Sequence, residues 1–236
     1  MKNRFEEYYK LLEDFLKNDF EFITVQDFYR KNYNVDSKII ILRHDIDSDI
    51  KIAKRMFEIE KAFGIKSTYY FRLKTVNKEF MKEIYNNSSE VGYHFEEIAT
   101  FAKNNNLNTR KDVENNRKNI LAEFRKNIEY FKELGFPLSS ISSHGDWKNR
   151  ELGIRNLELI NDDLLAELNI IEAYSVEEDL DYRIADNIYP VFWTGGKPEE
   201  IIQKDIKKSL ILLHPRNWGS CIPTRLAEDF GRLMKK

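Results

Sequence analysis

The sequence predicts an α/β fold with a mostly parallel sheet, and two observations predict it. Short apolar, β-branched runs alternate with longer helical periodicities along most of the chain. All four histidines, His44, His94, His144 and His214, fall at or within two residues of the carboxyl ends of predicted strands, where parallel α/β folds gather their functional groups.

Taken in order, Phe5, Tyr8, Tyr9, Leu11, Leu12, Phe15 and Leu16 recur at helical spacing, so residues 3–18 form an amphipathic helix that covers the body. A second short helix is expected from Val25 to Lys31, and residues 1–37 as a whole are expected as a helical extension. Lys38 to Leu42 is too short and too apolar for anything but a buried strand. Helical spacing returns from Asp49 to Phe63, with Gly64 as its C-terminal stop. The alternation continues with strand 67–73, helix 78–85, strand 90–94, a long helical region 108–134 stopped by Gly135, and strand 138–142. Strands 170–176 and 188–193, helix 198–207, strand 210–213 and a proline-opened helix from Pro223 to Met234 complete it. About seven strands result, and the pattern fits an open doubly wound sheet or a barrel equally well. With 236 residues and no internal repeat or linker, the expectation is a single domain, 1–236.

Composition excludes several classes of function. A formal net charge of -2, with lysines dispersed among acids, gathers neither nucleic acid nor an anionic membrane. No stretch approaches the roughly 20 apolar residues of a membrane span. Cys221 is the only cysteine, which rules out an internal disulfide and a multi-cysteine zinc site. With no signal-peptide-like segment at the start, a cytoplasmic location is expected. The sequence does not specify an oligomeric state.

The chemistry should lie at the strand ends. Arg43-His44-Asp45-Ile46-Asp47 follows the first apolar run, and two carboxylates two residues apart point the same way while the chain is extended. Such a pair repels itself unless a cation or proton lies between. His94 with Glu96, then His144-Gly145-Asp146-Trp147, then His214-Pro215-Arg216-Asn217-Trp218 follow later strands. Taken singly, each has a plain structural reading: His44 as a strand brace, the two acids as helix N-caps, a lone histidine as a satisfied core residue. Together they point to a divalent metal held by acids and histidines. Trp147 and Trp218, with Arg43 and Arg216, are the candidate walls and polar contacts for a sugar.

The ordered motifs IILRHDID, IEKAFGIKSTYYFRL, EVGYHFEE, SSHGDW and LLHPRNW make the chain resemble the polysaccharide deacetylase superfamily, in particular its capsule- and surface-polysaccharide branch with a His-Asp-x-Asp first motif. The resemblance runs from about residue 38 to 218. It implies a distorted (β/α) barrel with about seven parallel strands, and a divalent metal ion such as zinc. The activity it implies is removal of an N-acyl group from an amino sugar. Asp45 then falls at the general base, Asp47 is the nearest candidate for the metal acid, His94 falls at the metal, and His214 falls at the general acid with His44 as its one competitor. The family's two acids are adjacent, whereas Ile46 separates them here, which leaves the roles of Asp45 and Asp47 exchangeable. The family's usual second metal histidine, four residues after the first, is replaced by Ile98, so the third ligand is assigned to His144, with Glu96 as the alternative. Arg43 or Arg216 stands in for the family's usual arginine. The rival readings are a carbohydrate-binding barrel without chemistry and a D-x-D glycosyltransferase. The second is disfavoured because only 44 residues precede Asp45, too few for the nucleotide-binding half that normally precedes that motif.

Overall fold

The structure is a computed structural model that describes residues 4–187 and 191–219. The predicted helix Pro223–Met234, Cys221 and the first three residues of the predicted strand 188–193 lie outside them. Helix α1 (Phe5–Lys17) leads into strand β1 (Phe20–Ile23), helix α2 (Val25–Tyr29) and strand β2 (Lys38–Ile46). Then come α3 (Ile50–Phe63), β3 (Thr68–Phe71), α4 (Lys78–Asn86), β4 (Glu90–Phe95), α5 (Glu97–Asn104), α6 (Arg110–Asn115), α7 (Arg117–Lys132) and β5 (Ser140–Ser143). The rest comprises α8 (Trp147–Leu152), α9 (Asp162–Leu168), β6 (Ile171–Glu172), β7 (Tyr182–Asp186), β8 (Trp193–Thr194), α10 (Pro198–Gln203) and β9 (Lys208–Leu213).

These strands make one sheet in the order β6-β5-β4-β3-β2-β9-β7-β8. Every pairing is parallel except β7 with β8. β1 pairs with the first half of β2, Lys38 to Ile41, and β3 pairs along the second half, Arg43 to Ile46. Residues 1–37 are therefore not only a helical cover, because Phe20–Ile23 joins the sheet. β2 and β5 have two strands between them, which in a flat sheet would put them about 14 Å apart. Yet Arg43 on β2 donates a hydrogen bond to Ser142 on β5, so the sheet is curled into a half-barrel, open between β6 and β8. The expected distorted α/β barrel is present in this open form.

Several elements differ from the sequence expectation for local reasons. The helical region 108–134 is two helices that meet at Asn116, and α5 precedes them unannounced. The run 170–176 keeps only two strand residues before a 3₁₀ turn over Ala173–Asp179 takes over. Strand β2 runs four residues beyond Leu42, through the motif itself.

That extension decides which side chains reach the site. Side chains alternate along a strand, so Ile39, Ile41, Arg43 and Asp45 share one face and Ile40, Leu42, His44 and Ile46 the other. Ile39 and Ile41 pack with Tyr70, Leu210 and Leu212 inside the curl. Ile40 and Leu42 pack with Tyr8, Leu12 and Phe15 of α1 outside it. Gly92 on β4 must lack a side chain, since a Cβ there would stand 2.3 Å from the Tyr70 ring and 2.8 Å from the Ser140 carbonyl oxygen.

His44 therefore lies on the outer layer, away from the inner face. Its ring stacks on Tyr69 at 4.3 Å, and its Nε2 lies 2.9 Å from Glu60 of α3. Glu60 also accepts from Tyr8 at 2.5 Å, from Tyr69 at 2.7 Å and from Ser67. His44 thus stands apart from the inner face that carries Asp45 and ties α1 and α3 to the back of β2. Removing one partner of a fully buried pair leaves the other uncompensated, at a cost of about 3–5 kcal/mol. Glu60→Ala should lose stability of that order in urea denaturation, and a loss below about 1 kcal/mol would show that the network contributes little.

Candidate metal centre

Parallel strands deliver their carboxyl ends to one rim, and five of them furnish the site. Asp45 and Asp47 come from β2, His94 and Glu96 from β4, His144 from the end of β5, Asp186 from β7 and His214 from the end of β9. The nearest approaches are Asp47 Oδ1 to His144 Nε2, 3.2 Å, Asp47 Oδ1 to His94 Nε2, 3.6 Å, and Asp45 Oδ2 to His94 Nε2, 3.4 Å. Donor atoms of Asp47, His94 and His144 all lie within 4.8 Å of one another. Two donors each about 2.1 Å from a tetrahedral centre stand about 3.4 Å apart, so these separations fit a single cation. Asp47 Oδ1 is buried and makes no well-formed hydrogen bond, as a group awaiting a cation would be. The His94 ring is aimed by its other nitrogen, Nδ1, 3.0 Å from the Ser142 carbonyl oxygen.

Glu96, His144 and Asp146 form a second cluster of the same compactness, but its acids are already engaged. Arg72 grips both Glu96 oxygens, with Nε at 2.8 Å, and Lys103 lies 2.8 Å from Asp146. The second Asp146 oxygen accepts from the Lys148 backbone N–H, so of the two sets only that of Asp47, His94 and His144 has a buried carboxylate oxygen without a hydrogen bond. The structure thus gathers the three residues expected at the metal and gives Glu96 another place.

Asp45 is held differently from Asp47. Arg43 donates to both of its oxygens at 2.9 Å. Burial pushes the Asp45 carboxyl up, but the Arg43 guanidinium overrides it and holds the group at about 2. Asp47 also sits well below the usual carboxylate range, because His144 and His94 outweigh its burial. Both acids are therefore anions across the neutral range. Arg43, 0% exposed and flanked by the Tyr70 and Tyr174 rings at 5.1 and 4.6 Å, acts through Asp45 and does not face a ligand.

His214 closes the rim from the other side of β2. Its Nδ1 lies 2.7 Å from Asp186 Oδ1, its backbone N–H donates to the same carboxylate, and the Trp218 indole donates to Asp186 Oδ2 at 2.8 Å. Trp218 is 1% exposed, so it positions Asp186 and does not wall a sugar. Arg216 lies in the turn after His214, 5% exposed, and Trp147 at the start of α8 keeps a partly open surface. Asp186 was invisible to the sequence reading. Its one signal in the sequence is the pair Ile184 and Asp186, two apart and both buried in a strand of mixed composition.

Burial pushes the His214 imidazole down, but the Asp186 carboxylate raises it to about 9. A raised value means that the folded state holds its proton more tightly than the unfolded chain. Its stabilising contribution is complete below about pH 6.5 and is lost as pH rises through about 9. An NMR titration of His214 in metal-free protein should give a midpoint near 9, and Asp186→Asn should move it down toward the ordinary histidine range. An unchanged midpoint in that variant would remove Asp186 as the cause.

No family model matches the chain, and no curated protein matches its sequence. Among solved structures it is similar to a CE4 family pseudoenzyme from Bacillus anthracis, with 14% identity and a TM-score of 0.42 over 86% of this chain and 62% of that one. A mutant of such a pseudoenzyme with restored enzymatic activity matches at 15% identity and TM-score 0.42, and the chain spans 64% of its length. The peptidoglycan deacetylase PdaC from Bacillus subtilis matches at 14% identity and TM-score 0.40, over 85% of this chain and 99% of that one. What the chain does is accordingly read from its own side chains.

Proposed function

We propose that this protein is a metal-dependent hydrolase that removes an acyl group, acetyl in the first instance, from an N-acylated amino sugar of a surface polysaccharide. The observation that carries the proposal is the convergence of Asp47, His94 and His144 within 4.8 Å, with Asp45 against His94. Two imidazoles and a carboxylate suit zinc and leave room in its coordination for water or substrate. Bound there, the cation would supply Lewis acidity to the acyl carbonyl and to an attacking water.

The chain's own residues do the rest. Asp45, clamped by Arg43, faces the metal cluster as a fixed anion and takes the proton released by the attacking water. His214, charged at neutral pH because Asp186 sustains its proton, gives that proton to the departing nitrogen. The C–N bond breaks, the carbonyl carbon gains the water oxygen, and a carboxylate and an amino sugar leave. The sugar itself is inferred from the ordered motifs by which the chain resembles polysaccharide deacetylases, and the partly exposed Trp147 is proposed as an aromatic contact for it. The test is zinc titration of the metal-free protein, followed by assay of acetate and formate released from N-acetyl and N-formyl hexosamines and their oligomers. One equivalent of zinc and zinc-dependent acyl release are expected. Absence of stoichiometric binding would overturn the metal assignment, and binding without release from any of these substrates would overturn the hydrolase.

A further inference from the structure

Resting on the reading of Asp47, His94 and His144 as a metal site, we infer that Glu96 and Arg72 are positioning residues that fix the imidazole of His144. The four groups close a ring. Asp47 Oδ1 lies 3.2 Å from His144 Nε2, and the opposite nitrogen of that imidazole, Nδ1, lies 3.4 Å from Glu96 Oε2. Glu96 is held on both oxygens by Arg72, and Arg72 Nη1 returns to the Asp47 backbone carbonyl oxygen at 3.5 Å. The last residue of the ring thus touches the first.

Each link has a reason. His144 stands at the end of β5 and before Gly145, so its backbone alone does not fix the ring. Its backbone N–H is tied to the Phe95 carbonyl oxygen at 2.8 Å, which sets the Cα beside β4 but leaves the imidazole to rotate. A neutral imidazole offers one nitrogen as a lone pair only if the other carries the proton. Glu96 is the carboxylate that stands opposite Nδ1 to accept it. Among the described residues no other acceptor bonds Nδ1, and at 3.4 Å the contact with Glu96 is longer than a formed hydrogen bond. A carboxylate on the far nitrogen of a metal-binding histidine selects the tautomer and strengthens the ligand. His94 obtains the same service from the Ser142 carbonyl, so the two histidines are oriented by different means.

Arg72 explains why Glu96 serves from behind the ring and does not become a ligand itself. Both carboxylate oxygens are committed to one guanidinium, in the bidentate geometry that fixes direction as well as distance.

The experiment is a double-mutant cycle on zinc affinity, read by competition with a chromophoric chelator on the full chain. Glu96→Ala should weaken zinc binding about 10- to 100-fold, and His144→Ala should weaken it more. The variant carrying both changes should bind as His144→Ala does, because Glu96 acts only through that ring. Glu96→Gln, which keeps an acceptor oxygen, should recover most of the affinity, and it also serves if the alanine variant does not fold. Arg72→Ala should lose affinity as Glu96→Ala does. Unchanged affinity in Glu96→Ala would overturn the inference, and so would losses that simply add in the double variant, since addition would make Glu96 an independent ligand. If the parent protein itself binds no zinc, the metal reading fails along with it. Parental binding with an indifferent Glu96 defeats this inference alone.

Discussion

His214→Ala is expected to lose acyl-amide hydrolysis by about 10²- to 10⁴-fold while taking up zinc as the parent does. The expected split comes from where the residue is held. His214 follows β9, the strand on the opposite edge of β2 from β3 and β4, and it is anchored on Asp186 and not on Asp47, His94 or His144. Its removal leaves Asp47, His94 and His144 in place. An amide nitrogen is a poor leaving group until it is protonated. The other three histidines are unavailable for that step: His94 and His144 face Asp47, and His44 is 0% exposed on the outer layer against Glu60. Asp186→Asn should imitate the defect more weakly, because the ring stays but its proton is held less firmly. Acetate release and bound zinc, measured on the same preparations, decide the matter. Full activity in His214→Ala, or equal loss of zinc and activity, would remove the acid role.

The residues of this site were largely legible in the sequence because parallel strands deliver their ends to one rim whatever the loops do. Asp47, His94 and His144 needed only to follow separate strands to be placed together, and the structure brings them within 4.8 Å. What was not legible depended on strand length and on partners distant in sequence. His44 looked like a rim histidine because β2 was expected to end at Leu42. The strand continues to Ile46, and strict alternation then sends His44 outward while Arg43 and Asp45 stay inside. Asp186 lies in a five-residue strand, Tyr182–Asp186, with two charged residues and only Ile184 as a buried apolar side chain, a pattern that reads equally as loop. Trp218 looked like a sugar platform by its position beside His214. Its indole instead donates to Asp186, a contact between residues 32 apart that no local spacing shows. Glu96 was recognised as a candidate ligand from its place beside His94, but its commitment to Arg72 depends on the pairing of β3 with β4.

Asp45→Asn and Asp47→Asn are expected to fail in different ways, although the two acids are separated only by Ile46. Asp45 spends both oxygens on Arg43 at 2.9 Å, so a cation would have to compete with a guanidinium that is already buried and charge-matched. Asp47 has no such partner: its Oδ1 is buried without a well-formed hydrogen bond and lies 3.2 Å from His144 and 3.6 Å from His94. Replacing Asp45 by Asn removes the proposed proton acceptor and leaves the Asp47, His94 and His144 donors untouched, so zinc should remain while turnover falls about 10²-fold or more. Replacing Asp47 by Asn removes the one anionic donor of the three, so both zinc and turnover should go. Asp45→Asn also leaves Arg43 without its carboxylate in the interior, which costs stability. Thermal denaturation of each metal-free variant separates that loss from the catalytic one. The opposite pattern, zinc lost with Asp45 and kept with Asp47, would exchange the two roles. Loss of zinc in both would show that Asp45 is bound to the metal as well, and that Arg43 releases it when the cation arrives.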